Sequence, residues 1–426
     1  MVRLSFFVAA PPRVSLSVPP SDSVNFRAIW PLQAAAACVL LAGALHFTLT
    51  PAYAQITGFT KAELGMVGSA YYVGFLAGSL LNPIVFRASG HRLLFTIYAL
   101  LIAACVALQP ILPGVVAWIV LRGLVGFLAA GLFAVIESWL NAIASNSNRG
   151  RTLSVYSMGN QTALAAGQYL FAAFPVESGV GFYVSAALLL LSALPMAAMK
   201  GHPPAAPSQI RVRIGALSRA SPVAFAGFIT NGFATSPFWV LGPVFAADAG
   251  FNQFWIGVFM SLPIFGSLAV QWPVARLSDK MDRRRIILPV ALGAAIAAAV
   301  VAVSSSWGAA WAVYAGIVCF GATAMLINML CTAHMNDRVA PEDLTEAAGA
   351  SFVVYGAASA IGPISASVVM SVLGSAGLFW HAAAVLLLFG IFVATRIAVR
   401  APVGGDGGLD TPPSVASRHL PPKGEG

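Results

Sequence analysis

Long apolar stretches follow one another along this chain from Ala28 to Ala398, separated only by short polar interruptions. Most approach the roughly 20 residues an α-helix needs to cross a hydrocarbon core of about 30 Å. The pattern predicts twelve helices, approximately 28–50, 62–86, 92–112, 115–140, 152–174, 180–199, 222–247, 254–275, 286–304, 308–332, 347–372 and 376–397. The longest polar, proline-bearing break, KGHPPAAPSQIRVRIGALSRASP, divides them six and six. The expected organisation is an N-terminal tail over 1–27, a six-helix bundle over 28–199, a linker over 200–221 and a second six-helix bundle over 222–398. Residues 399–426, with GGDGG, TPP and LPP, read as a disordered tail.

Composition agrees with an all-α membrane protein. Hydrophobic residues make up 59% of the chain and charged residues 9%, against about a quarter charged in soluble domains. A net charge of +9 raises the question of nucleic acid, and the placement of the charges answers it. If the N-terminus is cytoplasmic, all of the 23 Lys and Arg residues except Lys61 and Arg122 fall in segments on the cytoplasmic side. This is the positive-inside bias. It predicts a multi-pass protein of a bacterial inner (plasma) membrane with both termini cytoplasmic, whose charge orients it in the bilayer and marks no nucleic-acid partner. The opening MVRLSFFVAAPP only weakly imitates a signal peptide and is read as a cytoplasmic tail. Cys38, Cys105, Cys319 and Cys331 all fall within spans and lack metal-ligand spacing, so no metal, cofactor or disulfide framework is expected.

The two halves echo each other. An offset of 192 aligns Leu64-Gly65 with Ile256-Gly257, Ser69 with Ser261 and Arg92 with Arg284; an offset of 195 aligns Gly167 with Gly362. The shared offsets point to an internal duplication of six helices, an arrangement of many secondary transporters.

Between the eighth and ninth spans stands ARLSDKMDRRR, 275–285. It resembles the loop signature of the major facilitator superfamily, G-x-L-A-D-R-x-G-R-R, with Asp279, Lys280, Arg283 and Arg284 matching. The resemblance implies that Asp279 pairs with Arg283 and locks one conformational state; a solvated charged turn is the alternative. In the first-half counterpart, PIVFRASGHRL, Gly90 and Arg92 match, but Arg87 stands where the acid belongs. With GSAYYVGFLAGSLL and IESWLN, this departure resembles the YcaD-like branch of the superfamily. The sequence contains no P-loop, H-E-x-x-H, G-x-S-x-G or Cys-x-x-Cys, so neither ATP-driven transport nor an enzyme is expected.

Polar residues inside apolar spans tend to face a bundle interior or a wet cavity, because charge in hydrocarbon costs at least a few kcal/mol. In LRGLVGFLAAGLFAVIESWLN, Arg122 and Glu137 lie about 60° apart around the helix and about 22 Å apart in height. Arg122, Gly126 and Ala130 form a stripe that admits a close neighbouring helix. Arg-x-x-x-Gly also resembles the fourth-helix signature of proton-coupled superfamily members. Glu137 is either a proton carrier or the partner of Arg149 or Arg151. His46 is the second protonation candidate. Gln161 and Gln168 project from one face of the fifth span, to bind a polar solute or to bridge helices. On the seventh span, Asn231 and Trp239 flank Pro237 and either line a solute path or mark a packing kink. Tyr71 and Tyr72 are adjacent, so one at most, taken as Tyr72, is expected to face a cavity.

The expected function is secondary transport of a small polar organic solute by alternating access in a monomer. The first, fifth, seventh and eighth spans supply the binding surface, and protons couple through Glu137 or His46, modulated by Arg122. A passive facilitator of the same fold and a non-transporting membrane sensor or scaffold are the alternatives.

Overall fold

A computed structural model describes residues 26–89, 91–143, 149–199 and 212–399. Nearly all of both predicted tails, Gly90 and most of the linker lie outside these residues. The described chain is helical throughout: α1 (Phe26–Ile56), α2 (Lys61–Ser89), α3 (His91–Leu108), α4 (Val115–Ile143), α5 (Arg149–Leu170), α6 (Val180–Ala197), α7 (Ile214–Ala220), α8 (Pro222–Asp248), α9 (Gln253–Lys280), α10 (Arg283–Ser306), α11 (Ala310–Ala324), α12 (Leu326–Asn336), α13 (Leu344–Leu373) and α14 (Gly377–Val399). Ten segments are long and apolar enough to cross a membrane, with α11 and α12 together forming one of them. The predicted spans absent from this set are α5 and α8. Asn160, Gln161 and Gln168 lower the hydropathy of α5, and Thr230, Asn231, Thr235, Ser236 and Pro237 lower that of α8.

Three boundaries differ from the sequence expectation. Helix α1 continues through Pro51 to Ile56 rather than stopping near residue 50. The span predicted over 308–332 is interrupted at Met325, and the Asn231 side chain donates to the Ala324 carbonyl at that break (3.0 Å). The end of the linker contains the short helix α7, and Arg213 just before it pairs with Glu346 on α13 at 3.1 Å.

Helices α1–α6 form one bundle and α8–α14 the other, and contacts around particular glycines show that the halves are copies. A Cβ on Gly167 of α5 would strike Ala44 on α1, and one on Gly362 of α13 would strike Ser236 on α8. Gly126 lies against the Tyr71 carbonyl, and Gly321 against the backbone of Pro263. These pairs superpose α1 and α2 on α8 and α9 at the 192 offset, which the Arg92–Arg284 match extends to α3 and α10, and α4–α5 on α11–α13 at 195. The seams between bundles repeat as well: Gly65 of α2 abuts α13 at Pro363 and Ser367, while Gly257 of α9 abuts α5 at the Gln168 carbonyl.

Six connections lie on one face of the molecule, and each contains a glycine with positive φ: Gly58, Gly114, Gly179, Gly250, Gly308 and Gly374. A side chain would be strained there, and glycine permits the tight return. The described loop residues 281–282 and 337–343 lie on the opposite face, which carries the basic loops and is called the basic face below. Trp307 and Trp311, 80% and 78% exposed, stand beside the Gly308 turn, where an aromatic belt meets a membrane interface.

Candidate functional site

A cavity of about 350 Å³ lies at the seam between the bundles and extends into the first, where Ile102 of α3 and Ser185 and Leu189 of α6 also line it. Helix α1 contributes Val39, Gly43, His46 and Phe47; α2 contributes Tyr71, Tyr72, Phe75 and Leu76; α4 contributes Ala129 and Phe133; α5 contributes Leu164 and Gln168. From the second bundle come Trp239 of α8 and Phe352, Tyr355 and Gly356 of α13. The wall is therefore mostly aliphatic and aromatic, in contrast to the surface expected for a polar solute. The eighth predicted span, α9, is absent from the lining, and α2 and α13 supply most of its aromatic side.

Tyr71 and Tyr72 both line the cavity, against the expectation that one at most would. Their rings meet edge to face at 5.5 Å, and Phe47 packs edge-on against Tyr71 at 4.6 Å. Helix α2 touches α1 and α4 within its own bundle and α13 across the seam. The roughly 100° between successive side chains therefore falls within the arc that faces the opening.

Behind this wall three helices join in a buried polar relay. His46 Nε2 lies 2.5 Å from Gln109 Oε1, just past the end of α3, and Arg122 Nη1 of α4 lies 3.2 Å from His46 Nδ1. His46, Gln109 and Arg122 are 3%, 0% and 2% exposed. An arginine can only donate, so Nδ1 must accept and Nε2 must carry the proton offered to Gln109. His46 is thereby held as one neutral tautomer. The Arg122 guanidinium lies 4.5 Å from the Phe47 ring centre and 5.0 Å from that of Tyr71. No carboxylate pairs with it among the described residues, and its Nε has no hydrogen-bond partner. Cation–π contact offsets part of its desolvation.

The other predicted residues divide clearly. Gln168, 1% exposed, accepts from Thr48 Oγ1 at 2.5 Å and lines the cavity. Gln161 is half-buried on the same stripe of α5, beyond Leu164 toward the basic face, and is outside the lining. Asn231 is buried, its amide engaged at the α11–α12 break, and does not reach the cavity. Glu137 stands one turn beyond Phe133 on α4 with its side chain exposed. Arg149 donates to Asn141 Oδ1 at 3.0 Å, and no ion pair to Glu137 occurs among the described residues. Arg92 lies over the Trp139 ring at 5.4 Å. Gly90 is outside the described residues.

At the basic face, Arg283 pairs with Asp279 at 3.0 Å and with Asp337 at 2.5 Å. All three belong to the second bundle. Arg284 turns the other way, buried against Asp282 at 2.7 Å and the Arg396 carbonyl at 2.9 Å. The opposite face holds a cluster that sequence reading missed. Lys61 of α2 pairs with Asp248 of α8 at 3.2 Å and donates to Ser375 at 2.9 Å, and Gln55 of α1 donates to Asp248 at 2.6 Å. This latch joins the two bundles. Its one sequence signal was Lys61, the lone basic residue outside the spans and the segments that the charge bias assigns to the cytoplasm. Among the described residues no three His, Cys, Asp or Glu side chains gather where they could hold a metal.

Comparison with known proteins identifies the architecture. The family model described as Major Facilitator Superfamily matches residues 34–363. A protein of Escherichia fergusonii named "Uncharacterized MFS-type transporter YcaD" is 24% identical over 351 residues, covering 82% of this chain and 90% of its own length. Among solved structures, the nucleoside transporter NupG superposes with a TM-score of 0.75 at 12% identity, covering 87% of this chain and 99% of its own. A bacterial homologue of the human lysosomal transporter Spinster, in an inward-facing and occupied conformation, gives 0.68 at 13% identity, covering 88% of this chain and 96% of its own. At these identities the structural likeness establishes the fold alone.

Proposed function

The chain belongs to the major facilitator superfamily, and from that premise we propose that it is a secondary transporter that moves a small organic solute through the cavity between its bundles by alternating access. One observation carries this reading: the Lys61–Asp248–Ser375 latch ties the bundles together on one face, whereas among the described residues the ion pairs at the basic face stay within the second bundle or join it to the linker. A cavity closed on one side by a breakable polar latch is the arrangement that rocking bundles require. Helices α5 and α8 complete twelve spans in this reading, with their polar residues directed inward. The positive-inside bias puts the basic face in the cytoplasm, so the state described is the inward-facing one. Asp279 and Arg283 close the basic face in the alternate state.

Protons couple at His46. Its Nδ1 accepts from Arg122, so a proton added there displaces the guanidinium and places two cations side by side. Protonation and the present position of Arg122 thus exclude each other, which gives a two-state element that a proton biases. Glu137, exposed one turn beyond the cavity, lies on the proton's path to the basic face.

The test is uptake by purified protein in sealed vesicles from a broad mixture of metabolites, with and without an imposed proton gradient. At least one small organic solute is expected to enter faster than into protein-free vesicles, and faster still with the gradient. Flux equal to that of protein-free vesicles for every component would overturn the transport reading. Solute-specific flux indifferent to the gradient would leave a passive facilitator.

A further inference from the structure

Resting on the transport reading above, we propose that the cavity selects an organic anion with an apolar body, an aryl or alkyl carboxylate, over neutral polyols and over cations. Three independent features of the wall lead there. The first is what the solute's body would touch. Phe75, Phe133 and Phe352, with aliphatic neighbours, make most of the surface. A sugar would bury hydroxyls against these side chains without partners, and each unpaired polar group is costly to desolvate. A flat or linear hydrocarbon body meets no such cost.

The second feature is the imbalance of polar atoms. The Gln168 amide has its oxygen engaged by Thr48 and its nitrogen unengaged. The Trp239 indole N–H and the hydroxyls of Tyr71, Tyr72 and Tyr355 likewise line the cavity without a hydrogen-bond partner among the described residues. Two of these groups can only donate, and the phenols can donate as well. No Asp or Glu lines the cavity. A site whose few polar groups are unused donors, and which lacks a carboxylate, suits a ligand that brings acceptors.

The third feature is the charge behind the wall. Arg122 is buried, its Nε unpaired, and its guanidinium lies against Phe47, Tyr71 and His46, all of which line the cavity. A cation in low-dielectric surroundings without a counter-ion attracts negative charge into the nearest open volume. A carboxylate donor-bonded by Tyr71 and Gln168 would supply the missing counter-charge. It would also ease protonation of His46, because a bound anion offsets the second cation beside Arg122. By linkage each would then strengthen binding of the other, and one proton would travel with one monoanion without net charge movement.

Binding to the purified full-length protein tests the class directly. Calorimetric titration would compare matched sets: benzoate, benzamide and benzylamine, then hexanoate, hexanamide and hexylamine, with glucose as the polyol. In at least one set the acid is expected to bind about tenfold or more tighter than its amide and its amine. Arg122→Gln should reduce that ratio to within about twofold, and Arg122→Lys should keep part of it. Should Arg122→Gln fail to fold, Trp239→Phe with Gln168→Leu removes two donors and should weaken the acid more than the amide. An amide or amine binding as tightly as its acid in every set would overturn the proposal, as would acids that fail to bind at all. Vesicle flux separates this result from the parent reading. Acid-selective binding without flux leaves the anion site standing and removes transport; flux of glucose or hexylamine in preference to the acids does the reverse.

Discussion

The two bundles share one fold, yet the same places in them hold opposite chemistry. At the offsets given by the glycine contacts and the Arg92–Arg284 match, His46, Gln109 and Arg122 of the first bundle correspond to Phe238, Val301 and Ile317 of the second. All six residues are nearly inaccessible. Around Phe238 the second bundle packs Phe259, Phe320 and Phe379 with ring centres 5.8–6.4 Å apart, a hydrocarbon core with its charges kept to the rim. The first bundle places a guanidinium and an imidazole where its copy has only carbon. Since the apolar version packs well, the polar version is not required by the fold. Buried polar relays cost stability relative to apolar packing of similar volume, so under the proposed transport function the first bundle is the working half and the second the frame it moves against.

Converting the first bundle to the second gives the largest expected effect. The triple variant His46→Phe, Gln109→Val, Arg122→Ile should raise thermal stability, by about 1–4 kcal/mol on the precedent of apolar replacements for buried ion clusters, and should abolish solute uptake. The single change His46→Phe leaves Arg122 and Gln109 without their partner, so it should lower stability and remove acceleration by a proton gradient. Thermal midpoints in detergent, set beside vesicle flux, measure both. A triple variant that transports like the unmodified protein would show that the relay is an accident of the duplication.

The bundles differ next in how their charged pairs are spent. Lys61–Asp248 crosses the seam, whereas Asp279–Arg283 and Arg283–Asp337 do not. Lys61 and Asp248 are partly exposed, 30% and 27%, and such a pair contributes about 1 kcal/mol or less. Asp248→Asn should therefore shift the conformational balance by about fivefold at most. The readout is labelling of a single cysteine at Tyr72, in a background without the four native cysteines, by an impermeant thiol reagent added from the Lys61 face. Labelling should rise with Asp248→Asn and should not rise with Asp279→Asn. Equal responses would erase the distinction between a seam latch and an internal pair.

Much of this was legible in the sequence because spans of membrane-crossing length, alternating loop charge and the 192 offset are all local or periodic signals. The same legibility extended to single side chains that are conspicuous on apolar helices: His46, Arg122, Gln168, Tyr72 and Trp239 were all singled out, and the fold brings four of them to the cavity and Arg122 directly behind it. What sequence could not give was partnership. Gln109 sits at the end of a span, where a polar residue reads as the start of a loop, and only the tertiary fold, which brings the end of α3 beside His46 of α1, makes it the acceptor for His46. Asn231 looked like a cavity residue because nothing in the sequence announces the break at Met325 that its amide serves. Asp248 and Tyr355 come to the site from the second bundle, and no short-range pattern links them to Lys61 or Tyr72.

The smallest effect belongs to the rim of the second bundle. Asp282 caps α10 by accepting from the Arg284 backbone N–H at 3.0 Å, and its carboxylate also takes the buried Arg284 guanidinium. The side-chain hydrogen bonds from Arg284 hold the Asp282 carboxyl below its ordinary value of 3.8. A carboxyl lowered in the folded state contributes stability above its unfolded pKa and loses it as pH falls through the folded one. Asp282→Asn keeps an oxygen for the cap but removes the charge facing Arg284, so the expected loss at pH 7 is about 1–2 kcal/mol, a few degrees or less in thermal midpoint. The difference from the unmodified protein should begin to shrink as pH falls below about 4, where the unfolded carboxyl takes up its proton, and should vanish only once the folded carboxyl, held lower, is protonated as well. A pH-independent difference would mean that Asp282 acts through cap geometry alone. In that case the rim charges of the second bundle would be as dispensable to its stability as the relay of the first is to its fold.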